Sequence, residues 1–545
     1  MIWNYLSNEE LQDFIGSKII CDLKEVIPAV TNVSDSEFNI NQKEILIRIL
    51  NSFVCESLFK SKESILNILN CISPYHIDNL IELLSPEKKL NTFNEKIHFI
   101  ATNWNVKKYK DVIREWAGIM ELPEPEKPKK SSAIIPMNAS PHPYKMLKDY
   151  QMSIFIQASD FLNRAGVHFV IQMPTGSGKT RTAMEIISDF INNSKEEVNV
   201  VWLAHSEELC EQAATCFQEV WEHVAKKDLT IYKAWGKRSA IPSQTTTSSF
   251  IVGGLQKLYS CYSKNANIFD GIKDKVGLIV IDEAHKIIAP SYQTVVRAIG
   301  NLYTKTIGLT ATPGRNVKDF EGNKHLSDFF HGNNISIKPP NEDVSVIKFL
   351  RNKKVLSSLK IDPLVSSARV SLSDKDREYI ARNFDFPPGF LKKLGANSIR
   401  NIEILRALEQ ECKEKRQIIF FACDIEHSKF ICSMLNYLGY KASHVDGTTD
   451  KIYRQNILNK FKKGEIQVVC NFGVLSTGFD APNTDVVCIA RPTTSIVLYS
   501  QMIGRGLRGP AIGGTPSCKL INVKDNIENL PDYENIFDYF DEYWS

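Results

Sequence analysis

The sequence predicts an α/β protein, two tandem parallel-sheet domains preceded by an all-α N-terminal domain. Three observations carry this expectation. After residue 143, short strands apolar on both faces alternate with amphipathic helices, the pattern of parallel sheets covered on both sides. Before residue 121, apolar positions recur at three and four, the period of a helix face. Between the two lies a proline-rich stretch, which removes backbone donors and favours extended chain. The 545 residues exceed one compact core, and at ~100–200 residues per domain they call for about three or four. With 43% hydrophobic and 24% charged residues, wholesale disorder is excluded.

Residues 1–121 form the expected helical domain, with SKESILNILN and HIDNLIELL as examples and Ser or Asp at N-cap positions. Residues 122–142 are expected to be a linker, in which Glu124 and Glu126 dilute the basic run KPKK. A first sheet domain, 143–345, carries the strands HFVIQ, VNVVWLA, SFIVGG, VGLIVID and KTIGLTAT. A polar region around Asn333 to Ser357 separates it from the second, 346–530, with RQIIFFAC, IQVVCNFG and TDVVCIA. Residues 531–545 make an aromatic-acidic tail, read as a packing helix or a partner-docking peptide. The net charge of +3 averages over this plan: residues 1–121 hold 13 basic and 17 acidic side chains, so the remainder carries +7.

The twelve cysteines include no CxxC pair, and the eleven histidines form no ligand-spaced cluster. No apolar run approaches the ~18 residues of a membrane span. A cytoplasmic location, without membrane contact, is expected.

The chemistry lies in two segments. Met173-Pro174-Thr175-Gly176-Ser177-Gly178-Lys179-Thr180 joins a strand to a helix. A glycine-rich turn there lets backbone N–H groups meet phosphate oxygens at the helix N-terminus, with Lys179 reaching the β- and γ-phosphates and Thr180 holding Mg²⁺. Met173 occupies the first glycine position of the general phosphate-loop pattern. About 100 residues on, the buried strand Leu278-Ile279-Val280-Ile281 ends in Asp282-Glu283-Ala284-His285. Two carboxylates thus sit at the carboxyl edge of a sheet, where open α/β folds bind ligands. Asp282 would hold Mg²⁺ through water and Glu283 would orient or deprotonate the attacking water.

These residues resemble superfamily 2 DExH-box helicases and translocases, most closely the subgroup of type I restriction motors, excision-repair helicases and RadD-type repair helicases. The resemblance spans Pro143 to Asp525, with the motifs in family order. It implies two RecA-like domains that bind ATP and Mg²⁺ between them. In Leu147-Lys148-Asp149-Tyr150-Gln151, Gln151 would read adenine. His205, Gly254 and Gln256 would contact a nucleic-acid strand from the first domain, and Ala422, Gly447, Thr448 and Thr477 from the second. His285, Thr310 and Thr312 would couple hydrolysis to domain movement. Gly478, Asp480 and Gln501 would face the nucleotide, and Arg505 and Arg508 would reach the γ-phosphate as arginine fingers.

The function expected is an ATP-dependent helicase or translocase on nucleic acid, DNA favoured over RNA, in repair, restriction or antiphage defence. Residues 1–121 or the tail would take a protein partner. The alternatives are an ATP-gated nucleic-acid sensor or adaptor recruiting an effector through residues 1–121, and an RNA helicase. Contacts to phosphate and sugar imply weak sequence preference and steep salt dependence. Two further features are declined. Asp78 with Glu87-Lys88-Lys89 has a nuclease-like spacing but lies in a helical stretch, and the basic-aromatic residues Arg382, Phe384, Phe386, Lys392, Lys393, Arg400 and Arg406 read as a helical preface to the second domain rather than a stacking platform.

Overall fold

The computed structural model describes residues 2–31, 42–53, 59, 61–87, 89–118, 134–137, 146–238, 240–311, 320–341, 343–383, 385–475, 483–493 and 495–525. Eight strands form the first sheet: β1 (Ile134–Met137), β2 (His168–Gln172), β3 (Asn199–Ala204), β4 (Leu229–Ala234), β5 (Ser249–Gly254), β6 (Val276–Asp282), β7 (Lys305–Thr310) and β8 (Asn334–Ser336). Their order is β1-β4-β5-β3-β6-β7-β2-β8, and only β1 runs antiparallel to its neighbour. Side chains alternate between two cores. Phe169, Ile171, Val200, Trp202 and Val280 pack on one face, and Val170, Val201, Leu203, Ile279 and Ile281 on the other.

The second sheet holds β9 (Ser358–Val365), β10 (Ile418–Phe421), β11 (Ala442–Val445), β12 (Val468–Asn471), β13 (Val486–Ile489) and β14 (Ser517–Lys524), in the order β11-β12-β10-β13-β14-β9 and parallel throughout. Ile418, Phe420, Val468 and Cys488 point to one face, and Ile419, Phe421, Val469 and Val487 to the other. The predicted fold class therefore stands: two parallel-sheet domains with a helical region ahead of them.

Two expected limits move. Part of the linker, Ile134–Met137, forms β1, with Pro136 opposite Thr230. An edge strand tolerates proline because one side of its ladder needs no donor. The first core also runs past residue 345: after the helix Val346–Asn352, Leu350, Val355 and Leu356 are buried in it, and the chain reaches the second sheet only at β9. The tail 531–545 lies outside the described residues.

The helical region forms seven helices among the described residues, from Asn8–Ile15 to Lys110–Ala117. Ser7 with Glu10, and Thr92 with Glu95, make reciprocal caps that satisfy orphan N–H groups at helix starts. Asp78 stands in the helix Pro74–Leu84 and pairs with Lys96 at 2.7 Å, a structural ion pair. The helices Ser17–Thr31 and Lys43–Phe53 pack on the second sheet domain, not on the first domain that follows them in sequence. Leu23, Ile27, Leu46 and Ile49 share one continuous apolar cluster with Leu405, Leu408, Ile431 and Leu435. Arg48 donates to the Asn436 carbonyl at 3.2 Å, and Arg406 to the Ala29 carbonyl at 2.7 Å.

Arg400, weighed above as part of a stacking platform, is wholly buried. Its Nε donates to Asp525 Oδ1 at 2.7 Å and its Nη2 to Oδ2 at 3.1 Å, with the Ala490 carbonyl also accepting from Nη2. Phe386 is buried against Phe390 and Leu394, while Phe384 lies outside the described residues. This pair locks the helix Ser398–Lys413 onto the ends of β13 and β14. Asp525→Ala leaves a buried guanidinium without its counter-charge, so urea unfolding should show a loss of about 3–5 kcal/mol.

Candidate nucleotide site

The phosphate loop begins where β2 ends. Met173, the departure from the general pattern, is fully buried in the first core, and its N–H donates to the Thr310 carbonyl at 3.0 Å. The loop is thus tied to the last residue of β7. Ser177 closes the turn through its N–H and hydroxyl, both donating to the Pro174 carbonyl at 3.1 and 2.7 Å. Gly176 and Gly178 take φ of 83° and 87°, a left-handed conformation that glycine adopts without strain. Gly178 then caps the helix Lys179–Asn193, which places Lys179 and Thr180 in its first turn. Backbone N–H groups left unpaired at such an end, with the helix dipole, favour phosphate.

Tyr150 and Gln151 hold this loop from behind. Tyr150 Oη donates to the Ser177 carbonyl at 2.7 Å and Gln151 Nε2 to the same oxygen at 3.3 Å. Gln151 Oε1 accepts from the Lys148 N–H at 2.9 Å. In this state the side chain expected to read adenine is engaged with the loop. Tyr150 was missed in the sequence, although it stands beside Gln151 at the start of the same helix.

At the end of β6, Asp282 is buried and its Oδ1 accepts from the Glu283 N–H at 3.0 Å. Glu283 has φ of 56°, a left-handed backbone that turns the chain sharply out of the strand. Burial, then the adjacent Glu283 carboxylate, raises Asp282 above the ordinary carboxylate range. Burial works in the same direction on Glu283, yet the nearby cations, Lys179 first, hold it below that range. The two neighbours thus titrate apart, with Glu283 the more readily ionised. His285 Nδ1 lies 3.4 Å from Glu283 Oε2, and burial pushes the imidazole down to about 4, so it is neutral. His205, expected at the strand, sits in this same charge network. Burial, then Lys286, pushes it to about 4, and the nearby Glu283 and Glu208 oppose the shift. Lys286, directly after the acidic motif, was another residue missed.

The donor set suits Mg²⁺, which takes oxygen ligands and shares its shell with water and phosphates. The Thr180 hydroxyl and the Asp282 carboxylate would hold it, and it would neutralise charge developing on the transferred phosphoryl group.

The second sheet domain closes on this loop. Gly504 is packed so tightly that a Cβ there would lie 2.4 Å from Thr175 Cγ2, and a Cβ on Gly176 would lie 3.9 Å from Arg508 Cγ. The segment Gly504–Arg508 therefore lies directly against the phosphate loop. Arg505 Nε donates to the Gln501 carbonyl at 3.2 Å. Arg454 pairs with Glu208 across the two halves at 2.6 Å. Gln501 and His285 line a cleft of about 820 Å³ between the halves, together with Gln256, Lys286 and Ser495. Gln501 Nε2 and His285 Nδ1 are buried there without a hydrogen-bond partner among the described residues.

The expected strand contacts divide. Gly254 ends β5, Gln256 is exposed beside it, and Gly447 and Thr448 are exposed in the turn after β11. Asp446 organises that turn by accepting from the Thr448 N–H and hydroxyl, both at 2.7 Å. Ala422 departs from expectation: its side chain is buried and its N–H donates to the Asn471 carbonyl at 3.0 Å, so it spaces the sheet edge. Thr310 is buried at the loop junction. Thr312, Thr477, Gly478 and Asp480 lie outside the described residues.

Residues 144–315 match the family described as Type III restriction enzyme, res subunit, and residues 400–509 match the helicase conserved C-terminal domain. These two matches cover both sides of the cleft in the order found here. The chain belongs to superfamily 2 of the helicases and translocases. Among superfamily 2 relatives, it is 27% identical to the putative ATP-dependent helicase IRC3 of Saccharomyces cerevisiae, over 67% of this chain and 49% of that protein. It thus spans about half the length of that relative. It is 26% identical to a 51.5 kDa protein of a Lactococcus phage, over 69% of this chain and 70% of that one. It is 25% identical to the DNA 3'-5' translocase XPB2 of Sulfurisphaera tokodaii, over 62% and 74%. Its fold is like that of the ATP-dependent Type ISP restriction-modification enzyme LlaBIII bound to DNA, with a TM-score of 0.50 and 16% identity, over 74% of this chain and 29% of that one.

Proposed function

We propose that this protein hydrolyses Mg-ATP between its two sheet domains and converts the turnover into movement along a nucleic-acid strand. The observation that carries this is the seating of Gly504–Arg508 on Thr175 and Gly176. An ATP γ-phosphate bound at the loop would lie between Lys179 and the arginines. Glu283 would take the proton of the attacking water, and Arg505 and Arg508 would stabilise the transition state, an effect worth ~10³–10⁵ in rate. Loss of the γ-phosphate releases the clamp, and repeated closure displaces two strand-gripping surfaces relative to one another.

The proposed substrate is DNA, in keeping with the name of the Sulfurisphaera DNA translocase. Repair, restriction or defence is the proposed setting. ATPase stimulation is expected to be strongest with DNA and to fall steeply with salt. Titrating single-stranded, duplex and forked DNA against RNA at fixed salt checks this, and stimulation by RNA alone would overturn the DNA assignment.

A second reading, the ATP-gated sensor, draws on the apolar cluster shared by the helical region and the second sheet domain. Closure would carry residues 2–118 with it. Hydrolysis without displacement of either a paired strand or bound streptavidin would favour the sensor.

A further inference from the structure

The chain crosses between the two sheets at residues 353–357, and this crossover touches both halves of the nucleotide site. Toward the first half, Lys353 Nζ lies 2.6 Å from Asp149 Oδ2, at the start of the helix that carries Tyr150 and Gln151. Leu356 is buried in the first core, and a Cβ on Gly176 would meet its Cδ2 at 3.5 Å. Toward the second half, the crossover pairs with the arginine loop through its backbone. The Ser357 N–H donates to the Leu507 carbonyl at 2.9 Å, the Gly509 N–H to the Val355 carbonyl at 2.9 Å, and the Ala511 N–H to the Lys354 carbonyl at 3.0 Å. Leu356 and Arg508 face each other as an antiparallel bridge. The approach is close enough to require glycine at 509, where a Cβ would stand 2.3 Å from the Lys354 oxygen.

Ser357 is wholly buried at the centre of this contact. Its hydroxyl lies against the carbonyl of Arg508 and, at 2.7 Å, that of Thr515. Those carbonyls stand at the two ends of the segment between the arginine motif and β14. One proton serves both acceptors, so the hydroxyl staples the start of the segment to its end and both to the crossover.

We propose that Ser357 is a positioning residue for Arg508, fixing the backbone from which the guanidinium reaches the γ-phosphate. An arginine side chain has many rotamers, and its tip is only as well placed as its own backbone. A displacement of about 1 Å far from the chemistry can cost on the order of 10²-fold in rate. The crossover thus meets the phosphate loop, the helix bearing Gln151 and the arginine loop together. Ser357 thereby links the register of the arginine to the side of the site that holds the nucleotide.

This inference rests on the arginine-finger reading of Arg508, and the test separates the two. Steady-state ATP turnover with saturating DNA, and melting temperature, are measured for Ser357→Ala, Ser357→Thr, Arg508→Ala and the double variant Ser357→Ala/Arg508→Ala in the full chain. Ser357→Ala should lower kcat roughly 10- to 100-fold, with KM for ATP and melting temperature retained. Ser357→Thr keeps the hydroxyl and should recover most of kcat. The double variant should be no slower than Arg508→Ala, because residues acting as a unit are non-additive. Additive losses, or a fall in kcat accompanied by a raised KM and a lowered melting temperature, would make Ser357 merely structural and overturn the proposal. A slow Arg508→Ala beside an unaffected Ser357→Ala removes the positioning role alone, whereas Arg508→Ala turning over at the unaltered rate removes the finger reading itself.

Discussion

Replacing Glu283 with Gln is expected to cut nucleic-acid-stimulated ATP turnover by roughly 10²–10⁴-fold while a fluorescent ATP analogue still binds. The amide has the shape of the carboxylate but no basicity. The surroundings keep the carboxylate form available: Lys179 and Lys286 help hold the Glu283 carboxyl ionised against the pull of burial. The backbone tells the same story. At φ of 56° Glu283 occupies a left-handed conformation, which in a non-glycine residue costs about 1–3 kcal/mol. Glycine would relieve that strain, so Glu283→Gly should match the unaltered protein in melting temperature or exceed it while being as inactive as Glu283→Gln. A residue kept for packing would show the opposite, stability lost with glycine and activity tolerant of the amide. Turnover of the Gln protein at the unaltered rate would move the base elsewhere.

The parts of this site that were legible in the sequence are those where one residue type answers one physical demand. Gly176 and Gly178 answer the need for positive φ, Lys179 and Thr180 follow from the helix start, and Asp282 follows from a fully apolar strand ending at a sheet edge. The strands that escaped notice are short, half-polar or at edges. β9 pairs on one side only and is nearly all exposed, so its pattern carries no apolar period. β4 alternates buried with half-buried positions and sits beside the proline strand β1. Arg400 does stand in the expected helical preface, but its burial was hidden for a different reason. Composition counts a basic residue as surface charge, and its counter-charge, Asp525, lies 125 residues away. Likewise His205 and Ala422 sit inside motifs whose spelling suggests strand contact, but their surroundings depend on neighbours from the turn after β6 and from β12 that local sequence does not reveal.

Deleting residues 1–118 is expected to leave a motor that aggregates, not a shorter motor that merely lacks targeting. A module joined through a linker would predict the reverse, because such a segment can be cut with no core exposed. Here the helices Ser17–Thr31 and Lys43–Phe53 form a third layer over Ser398–Lys413 and Ile425–Tyr437, which themselves cover one face of the second sheet. Returning a buried Leu or Ile to water costs about 1.5–3 kcal/mol each, and Leu405, Leu408, Ile431 and Leu435 all belong to the shared cluster. A handful of such residues rivals the whole stability of a domain, ~5–15 kcal/mol. Size-exclusion chromatography of the truncated chain should therefore show loss of monomer, and supplying residues 1–118 as a separate chain during expression should restore it. A truncated protein that stays monomeric, melts at the temperature of the full chain and retains DNA-stimulated ATPase would show that the layer is dispensable to the motor. The same packing has a mechanical consequence. Among the described residues the helical layer shares its apolar cluster with the second sheet domain and not with the first, so in the proposed cycle each closure of the cleft would swing it past the first domain and displace whatever it binds.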